Sequence, residues 1–382
     1  QGMLPRIIQK EYNDRTIYKK KMLEAEQQYA NTKDKKYEKL ARKYYIIQHS
    51  KKISLNSAYG AIGNKYFRYY DHRQAEAITM SGQLNIKWIE KKLNEYFNKL
   101  YKTNDDYIIA SDTDSVYINM APLVKMTGAT DKDKIVKALD TFCQERLEPY
   151  IAKVYGELGN YMNVRENKMV MKREAIADRG IWTAKKRYIL NVHNSEGVQY
   201  PEPKLKIMGI EAVKTSTPLP CREKLRESFK ILMSGDEKQM KDFVVKFRRE
   251  FEHMTPEQIG FPRSINNIEK YSDTTSIYKK GTPIHVRGAL LYNHLLLHRK
   301  VAHKYQRIYN GDKGKFVHLR KNPWGANVIT FIADLPKEFD MHKYIDYDEQ
   351  FQKSFMEPLR FILEAIKWRV DAGETTNLED FF

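Results

Sequence analysis

Cysteine is scarce: the 382 residues hold two, Cys143 and Cys221. Far apart in sequence, they cannot frame a disulfide scaffold or a thiolate zinc site, and a reducing cytoplasm suits them best. Long hydrophobic runs are missing as well. The most apolar stretch, GALLYNHLLLH from Gly288 to His298, falls short of the roughly 20 residues a bilayer span needs, which argues against membrane insertion. No secretory signal pattern opens the chain, and Gln1-Gly2 ahead of Met3 reads as the scar of a removed tag, with Met3 as the natural start. No internal repeat or low-complexity tract is visible. Negative charge is the minority: 49 acidic residues face 67 Lys and Arg, a formal +18 with a pI near 9.4. That balance favours a polyanionic partner, nucleic acid or a membrane surface. The 41% apolar content is ordinary for a folded protein, and the length allows two or three domains.

What is present begins with helix. Glu11 to Ala30 carries neither Pro nor Gly, NTKDKK interrupts at Asn31 to Lys36, and a second helix-prone run continues to about Ala58. This predicts an antiparallel helical hairpin. The midpoint of Arg15 and Lys52 falls in the interrupting turn, so both lie roughly 25 Å from the tip and are expected to face each other. A third helix follows, with Ile89, Leu93, Tyr96, Phe97 and Leu100 at core-facing spacing. Lys134 to Tyr155 is again helical, and Met169 to Val192 reads as strands broken at Asp178 to Gly180. From about Thr215, Pro-containing turns separate mostly helical, basic pieces, ending in the acidic GETTNLEDFF.

Four groups of residues point to chemistry. YIIASDTDSVYI, Tyr107 to Ile118, sets Asp112 and Asp114 one residue apart at the tip of a predicted β-hairpin. Asp, Ser and Thr suit a tight turn through their own backbone bonds, but two adjacent carboxylates also make a cation site of the kind Mg²⁺ takes. In KKISLNSAYG, Lys52, Asn56 and Tyr59 share one helical face, which suits a nucleotide's phosphates and sugar or base, or merely a solvated surface. Arg15 and Lys19, four apart on the opposite arm, repel each other unless an anion lies between them; with Lys52 they would converge on a triphosphate. Finally, TAKKRY and PKLKIMG bring Lys185, Lys186, Arg187, Tyr188, Lys204 and Lys206. Read as strand, TAKKRY points Lys185 and Arg187 to one side and Lys186 and Tyr188 to the other, fit to follow a phosphate backbone and enter a groove, or to solvate a sheet edge.

In this order the segments resemble the C-terminal half of family B DNA polymerases of the T4-like phage type. SDTDSVY is similar to the palm motif C, KISLNSAYG to the fingers motif B, and KKRY to the motif that grips primer-template DNA; NSAYGAIGNKYFRYYDHRQAEAIT, PEPKLKIMG and NNIEKY also resemble segments of those enzymes. The resemblance implies an α+β right-hand fold: helical-hairpin fingers at 1–62, an antiparallel-sheet palm at 63–209, a mostly helical thumb at 210–370, and a tail at 371–382. It implies a DNA-directed DNA polymerase using two Mg²⁺ ions, with Mn²⁺ as a substitute. Asp114 would ligate both metals and Asp112 would be the second palm carboxylate. Glu174 matches an acidic residue near the metals, though this chain has Lys172 where the family often has Asp. Arg15, Lys19, Lys52 and Asn56 would meet the incoming dNTP, with Tyr59 and Gly60 under the nascent base pair. Lys186 would sense the primer terminus, beside Lys185, Arg187, Tyr188, Lys204 and Lys206 on the DNA. Leu378, Phe381 and Phe382 resemble a sliding-clamp-binding tail, an exposed aromatic pair that would otherwise fold back on the thumb.

Two family features are missing from this sequence: the Asp-x2-Ser-Leu-Tyr-Pro-Ser motif A and a proofreading exonuclease. The resemblance therefore implies a palm left incomplete without a partner chain that supplies both. A polymerase divided between two genes is expected, inactive as this chain alone, phage-encoded and working in the cytoplasm of a bacterial host. The fingers hairpin also looks shorter at its tip than in T4-like relatives. Two rival readings remain: a polymerase-like module that only binds DNA, and a glycosyltransferase using Asp-x-Asp, which leaves the opposed cations and the tail unexplained.

Overall fold

A computed structural model describes residues 2–273 and 275–370. Its class is α+β, helices with small antiparallel sheets, as expected. The chain forms two compact units. One comprises the chain up to Asp178 together with Asn191–Lys204, the other Arg179–Leu190 together with the chain from Leu205 onward.

The first unit opens with the predicted hairpin, α1 (Met3–Thr32) and α2 (Lys35–Ile62). The helix stops because Lys33 turns left-handed at φ 58°, its N–H closing on Tyr29 O at 2.8 Å. Asp34 starts the return arm by accepting the Lys36 N–H at 2.8 Å. Between the arms Met22, Ala25, Ala41 and Gln48 are buried, the small alanines letting the backbones approach.

Helix α3 (His72–Tyr101) follows, capped by the Asp71 carboxylate. Ile89, Leu93 and Phe97 are fully buried, as their spacing predicts, whereas Leu100 is 40% exposed. The stripe advances by four, so its next member is Tyr101, whose ring stacks on Phe97 at 5.8 Å. Strands β1 (Ile108–Asp112) and β2 (Ser115–Ile118) pair antiparallel. After α4 (Ala121–Thr127), α5 (Lys132–Phe142), a π-helical turn (Cys143–Leu147) and α6 (Glu148–Tyr161) make one helical run. Phe97, Tyr107, Ile108, Cys143, Leu147 and Ile151 share a core. It anchors the root of the β1–β2 hairpin, where the Tyr107 N–H also donates to Asn94 Oδ1 at 2.8 Å.

Three strands, β3 (Ala175–Ala184), β4 (Arg187–Ser195) and β5 (Val198–Met208), lie in the order β3-β4-β5. The expected break at Asp178–Gly180 is absent: β3 runs straight through it. Asp and Gly suggest a turn, yet Gly180 is there for space, since a Cβ would sit 2.6 Å from the Trp182 ring and 2.7 Å from Leu190 Cδ2. Asp178 serves the sheet as an acceptor, taking the Asn191 amide at 2.8 Å and pairing with Lys132 at 3.1 Å.

The second unit holds α7 (Leu219–Ser234), α8 (Glu237–Glu252), α9 (Pro256–Ile259), β6 (Phe261–Ser264), α10 (Ile268–Tyr271), α11 (Ile284–His298), β7 (Lys313–His318), β8 (Val328–Phe331), α12 (Tyr347–Phe351) and α13 (Glu357–Ala365). Helices predominate here, as expected, and a small antiparallel sheet β6-β7-β8 lies among them. Its strands are four to six residues long, too short for alternation to show in the sequence. Phe229, Phe247, Phe251, Phe351 and Phe355 are fully buried at its centre. The apolar GALLYNHLLLH stretch belongs to α11, whose Ala289, Leu291 and Leu295 are fully buried. Among the described residues no helix is long and apolar enough to cross a membrane.

Candidate functional site

The β1–β2 turn gives the aspartate pair unequal surroundings. Asp112 ends β1 opposite Ser115, leaving Thr113 and Asp114 as a two-residue loop, with Thr113 left-handed at φ 58°. Asp112 is half-buried and tied into the turn. Its Oδ1 accepts the Thr113 hydroxyl at 2.9 Å, and its carbonyl accepts the Asp114 N–H at 2.7 Å and the Ser115 hydroxyl at 3.1 Å. Asp114 is exposed, and its carboxylate accepts no hydrogen bond among the described residues. It does reach Tyr155 electrostatically: burial first, and then this carboxylate, push the Tyr155 hydroxyl above its ordinary pKa. The pair therefore divides into a structural acid and a presented one.

For a hard divalent cation the donor set fits in part. Two anionic oxygen donors on one tight turn are what Mg²⁺ takes from protein, with other positions left for water and phosphate. Among the described residues no three His, Cys, Asp or Glu side chains gather as a metal group. Glu174 is accordingly not drawn into a trio with Asp112 and Asp114; it lies exposed just ahead of β3, its carbonyl accepting the Glu196 N–H at 2.7 Å.

The helical hairpin carries the cations. Crossing between the arms falls to Lys51, which pairs with Glu11 at 3.2 Å and Asp14 at 3.0 Å. Its ammonium is held above the ordinary lysine range by the hydrogen bond to Asp14 and then that to Glu11. Lys52, the next residue along α2, is exposed. Asn56, Tyr59 and Gly60 are exposed on the same arm, so the stripe shared by Lys52, Asn56 and Tyr59 is open to solvent. On α1, Lys19 pairs with Glu196. Arg15 is half-buried, and its shielded Nε has no hydrogen-bond partner among the described residues. An enclosed guanidinium donor without an acceptor is costly and marks a place where an anion would be welcome.

The KKRY segment corrects its expected geometry. Lys185 and Lys186 form the two-residue turn between β3 and β4, Lys186 being left-handed at φ 62°, so the four residues do not alternate along one strand. The turn lifts both lysines into solvent. Arg187 is committed inside the unit, to Glu211 at 2.7 Å and over the Phe361 ring at 5.3 Å, and Tyr188 is only 5% exposed. Gly209, at φ 66°, holds this turn: a Cβ there would stand 2.2 Å from Lys186 O and 3.2 Å from Arg187 Cγ. Gly209→Ala should therefore cost about 2 kcal/mol. Calorimetry would register it as a melting temperature lower by roughly 4–8 °C, and an unchanged melting temperature would show that the turn is not pinned from Gly209. On β5, Lys204 is exposed with its ammonium 3.9 Å from the Tyr200 ring centroid, and Lys206 is half-buried. Leu378, Phe381 and Phe382 lie outside the described residues.

Sequence reasoning passed over Lys51 and Glu196. Gly197 between the strand-prone runs YILNVHNS and VQY marks a turn, and the unusual glutamate before it could have drawn attention to Glu196.

No family model matches this chain. Over 362 residues it is 38% identical to the DNA-directed DNA polymerase of Enterobacteria phage T4, a match that covers 90% of this chain and 40% of that protein. Over 353 residues it is 37% identical to the DNA-directed DNA polymerase of Escherichia phage RB69, covering 88% of this chain and 38% of that one. The chain thus spans about two-fifths of the length of the curated relatives it matches.

Proposed function

From the kinship of this chain with phage DNA-directed DNA polymerases, we propose that it supplies the fingers, palm and thumb of such an enzyme, which extends a primer 3′-hydroxyl with deoxynucleotides. The observation that carries the reading is the Asp112–Asp114 turn, rooted in a buried core and presenting one exposed carboxylate, within a chain nine-tenths of which matches polymerases. The assignment takes 1–62 as fingers, 63–209 as palm, 210–370 as thumb and 371–382 as a clamp-binding tail.

Asp114, with Asp112 behind it, would hold Mg²⁺, which when bound lowers the pKa of the primer hydroxyl and offsets charge on the triphosphate. Glu174 is a further acidic residue for that neighbourhood. The chain's own cations do the rest of the positioning. Arg15, Lys19 and Lys52, with Asn56, bind the triphosphate of the incoming dNTP, and Tyr59 and Gly60 lie under the new base pair. The exposed Lys185–Lys186 turn, with Lys204 and Lys206, meets the phosphates and minor groove of the primer-template duplex, in keeping with a formal charge of +18. The setting is the cytoplasm of an infected bacterium.

Two metal ions need more carboxylate than this turn supplies. We assign the missing ligand, and any proofreading activity, to polypeptide corresponding to the remaining length of the relatives. Primer extension should separate the cases: this chain alone, that remainder alone, and both together. Extension is expected only from the mixture. DNA binding without extension in any arm would replace the reading with a non-catalytic DNA-binding module.

A further inference from the structure

The turn joining β4 to β5 holds a residue that its backbone does not favour. Glu196 and Gly197 form the two-residue loop with φ 50° and 91°, both left-handed. Asn-Gly is the usual occupant of such a loop, because a longer side chain at the first position crowds the backbone and gains no local hydrogen bond from it. Something beyond the turn therefore accounts for glutamate, and the structure shows its contact. The Glu196 carboxylate pairs with the Lys19 ammonium, with side-chain exposures of 27% and 34%. A second bridge lies beside it, the Gln199 N–H donating to Gln27 Oε1 at 2.9 Å. Beginning at their neighbours Glu26 and Tyr200, the hairpin and β5 border a half-open pocket of about 570 Å³ that Tyr29 and Tyr45 also line. At this place the hairpin rests on the turn through exchangeable polar contacts beside open space.

Lys19 shares its face of α1 with Arg15, one turn away, whose shielded Nε has no hydrogen-bond partner among the described residues. Among the described residues, one cation of this pair already has an internal anion, while the Nε of the other has no acceptor. Carboxylate and phosphate oxygens compete for the same ammonium protons. We infer that Glu196 is an internal competitor for Lys19, a carboxylate that stands where a phosphate would and tethers the helical hairpin to the β4–β5 turn until a polyphosphate displaces it. The inference rests on the polymerase reading only for the identity of the natural displacing anion, a nucleoside triphosphate. Releasing the competitor removes an occupancy penalty, so apparent affinity should rise without any new contact.

The test uses the full 382-residue chain and calorimetric binding of sodium tripolyphosphate, with dATP as a second probe. Glu196→Gln is expected to bind about 3- to 10-fold more tightly than wild type. Glu196→Asn suits the turn better and should give the same gain, which guards against a folding artefact. Lys19→Met should weaken binding about tenfold, and adding Glu196→Gln to it should restore nothing. Amide exchange in residues 195–200 should quicken in Glu196→Gln and in wild type saturated with tripolyphosphate. Equal affinity of wild type and Glu196→Gln within twofold, with Lys19→Met still weakened, overturns the competitor while leaving the polymerase reading intact. Failure of every variant to bind either probe overturns both. A gain in Glu196→Gln alongside no primer extension by the complemented chain keeps the competitor and removes the polymerase.

Discussion

Asp114→Asn should leave the complemented chain folded and able to bind primed DNA, yet lower its extension rate about 10³-fold or more. The substitution keeps the size and the turn, and Asn is as comfortable as Asp in such a loop. It removes one negative charge from the only member of the pair whose carboxylate accepts no hydrogen bond among the described residues. A hard cation is held by charge more than by shape, so a neutral amide oxygen forfeits several kcal/mol of the stabilisation due in the transition state. At about 1.4 kcal/mol per tenfold, that deficit sets the size of the effect. Asp112→Asn should behave differently. Its oxygens already serve Thr113 and the turn, so part of its loss should appear as a lower melting temperature. Single-turnover extension, with melting curves of both variants, distinguishes the two roles. Equal extension by wild type and Asp114→Asn would remove this carboxylate from the chemistry.

How much of this could be read from sequence depended on the range of the signal. The helical hairpin was legible because helix propensity and a polar interruption are local, and Lys33 and Asp34 end and restart the helix with their own backbone and side chain. The Asp112–Asp114 turn was legible for the same reason. What failed was settled at a distance. Gly180 looks like a breaker until Trp182 and Leu190 are known to fill its missing Cβ. The Lys185–Lys186 turn is held by Gly209, more than twenty residues away, and nothing in KKRY announces it. Lys51 and Lys52 are equivalent in composition, and only the rotation of α2 against α1 decides which one reaches Glu11 and Asp14. Glu196 reaches Lys19 across 177 residues of sequence.

Arg15→Met should move stability and substrate binding in opposite directions. In wild type the shielded Nε lacks an acceptor among the described residues, a state that costs about 1–3 kcal/mol of folding free energy. Methionine covers much of the same hydrocarbon length without that donor, so the variant should melt at the same temperature as wild type or higher. Its nucleotide binding should fall, because a charge-assisted contact to phosphate contributes about 1.5–3 kcal/mol. Through the same conversion of about 1.4 kcal/mol per tenfold, dNTP affinity should weaken roughly 10- to 150-fold. The contrast with Lys19 is informative, since Lys19→Met also releases Glu196 and therefore exposes a second unpaired charge. Differential scanning calorimetry gives the stability arm, and the dNTP concentration dependence of extension by the complemented chain gives the binding arm. A variant that loses stability and keeps its dNTP affinity would show that the enclosed Nε is a packing feature of α1 with no part in holding phosphate.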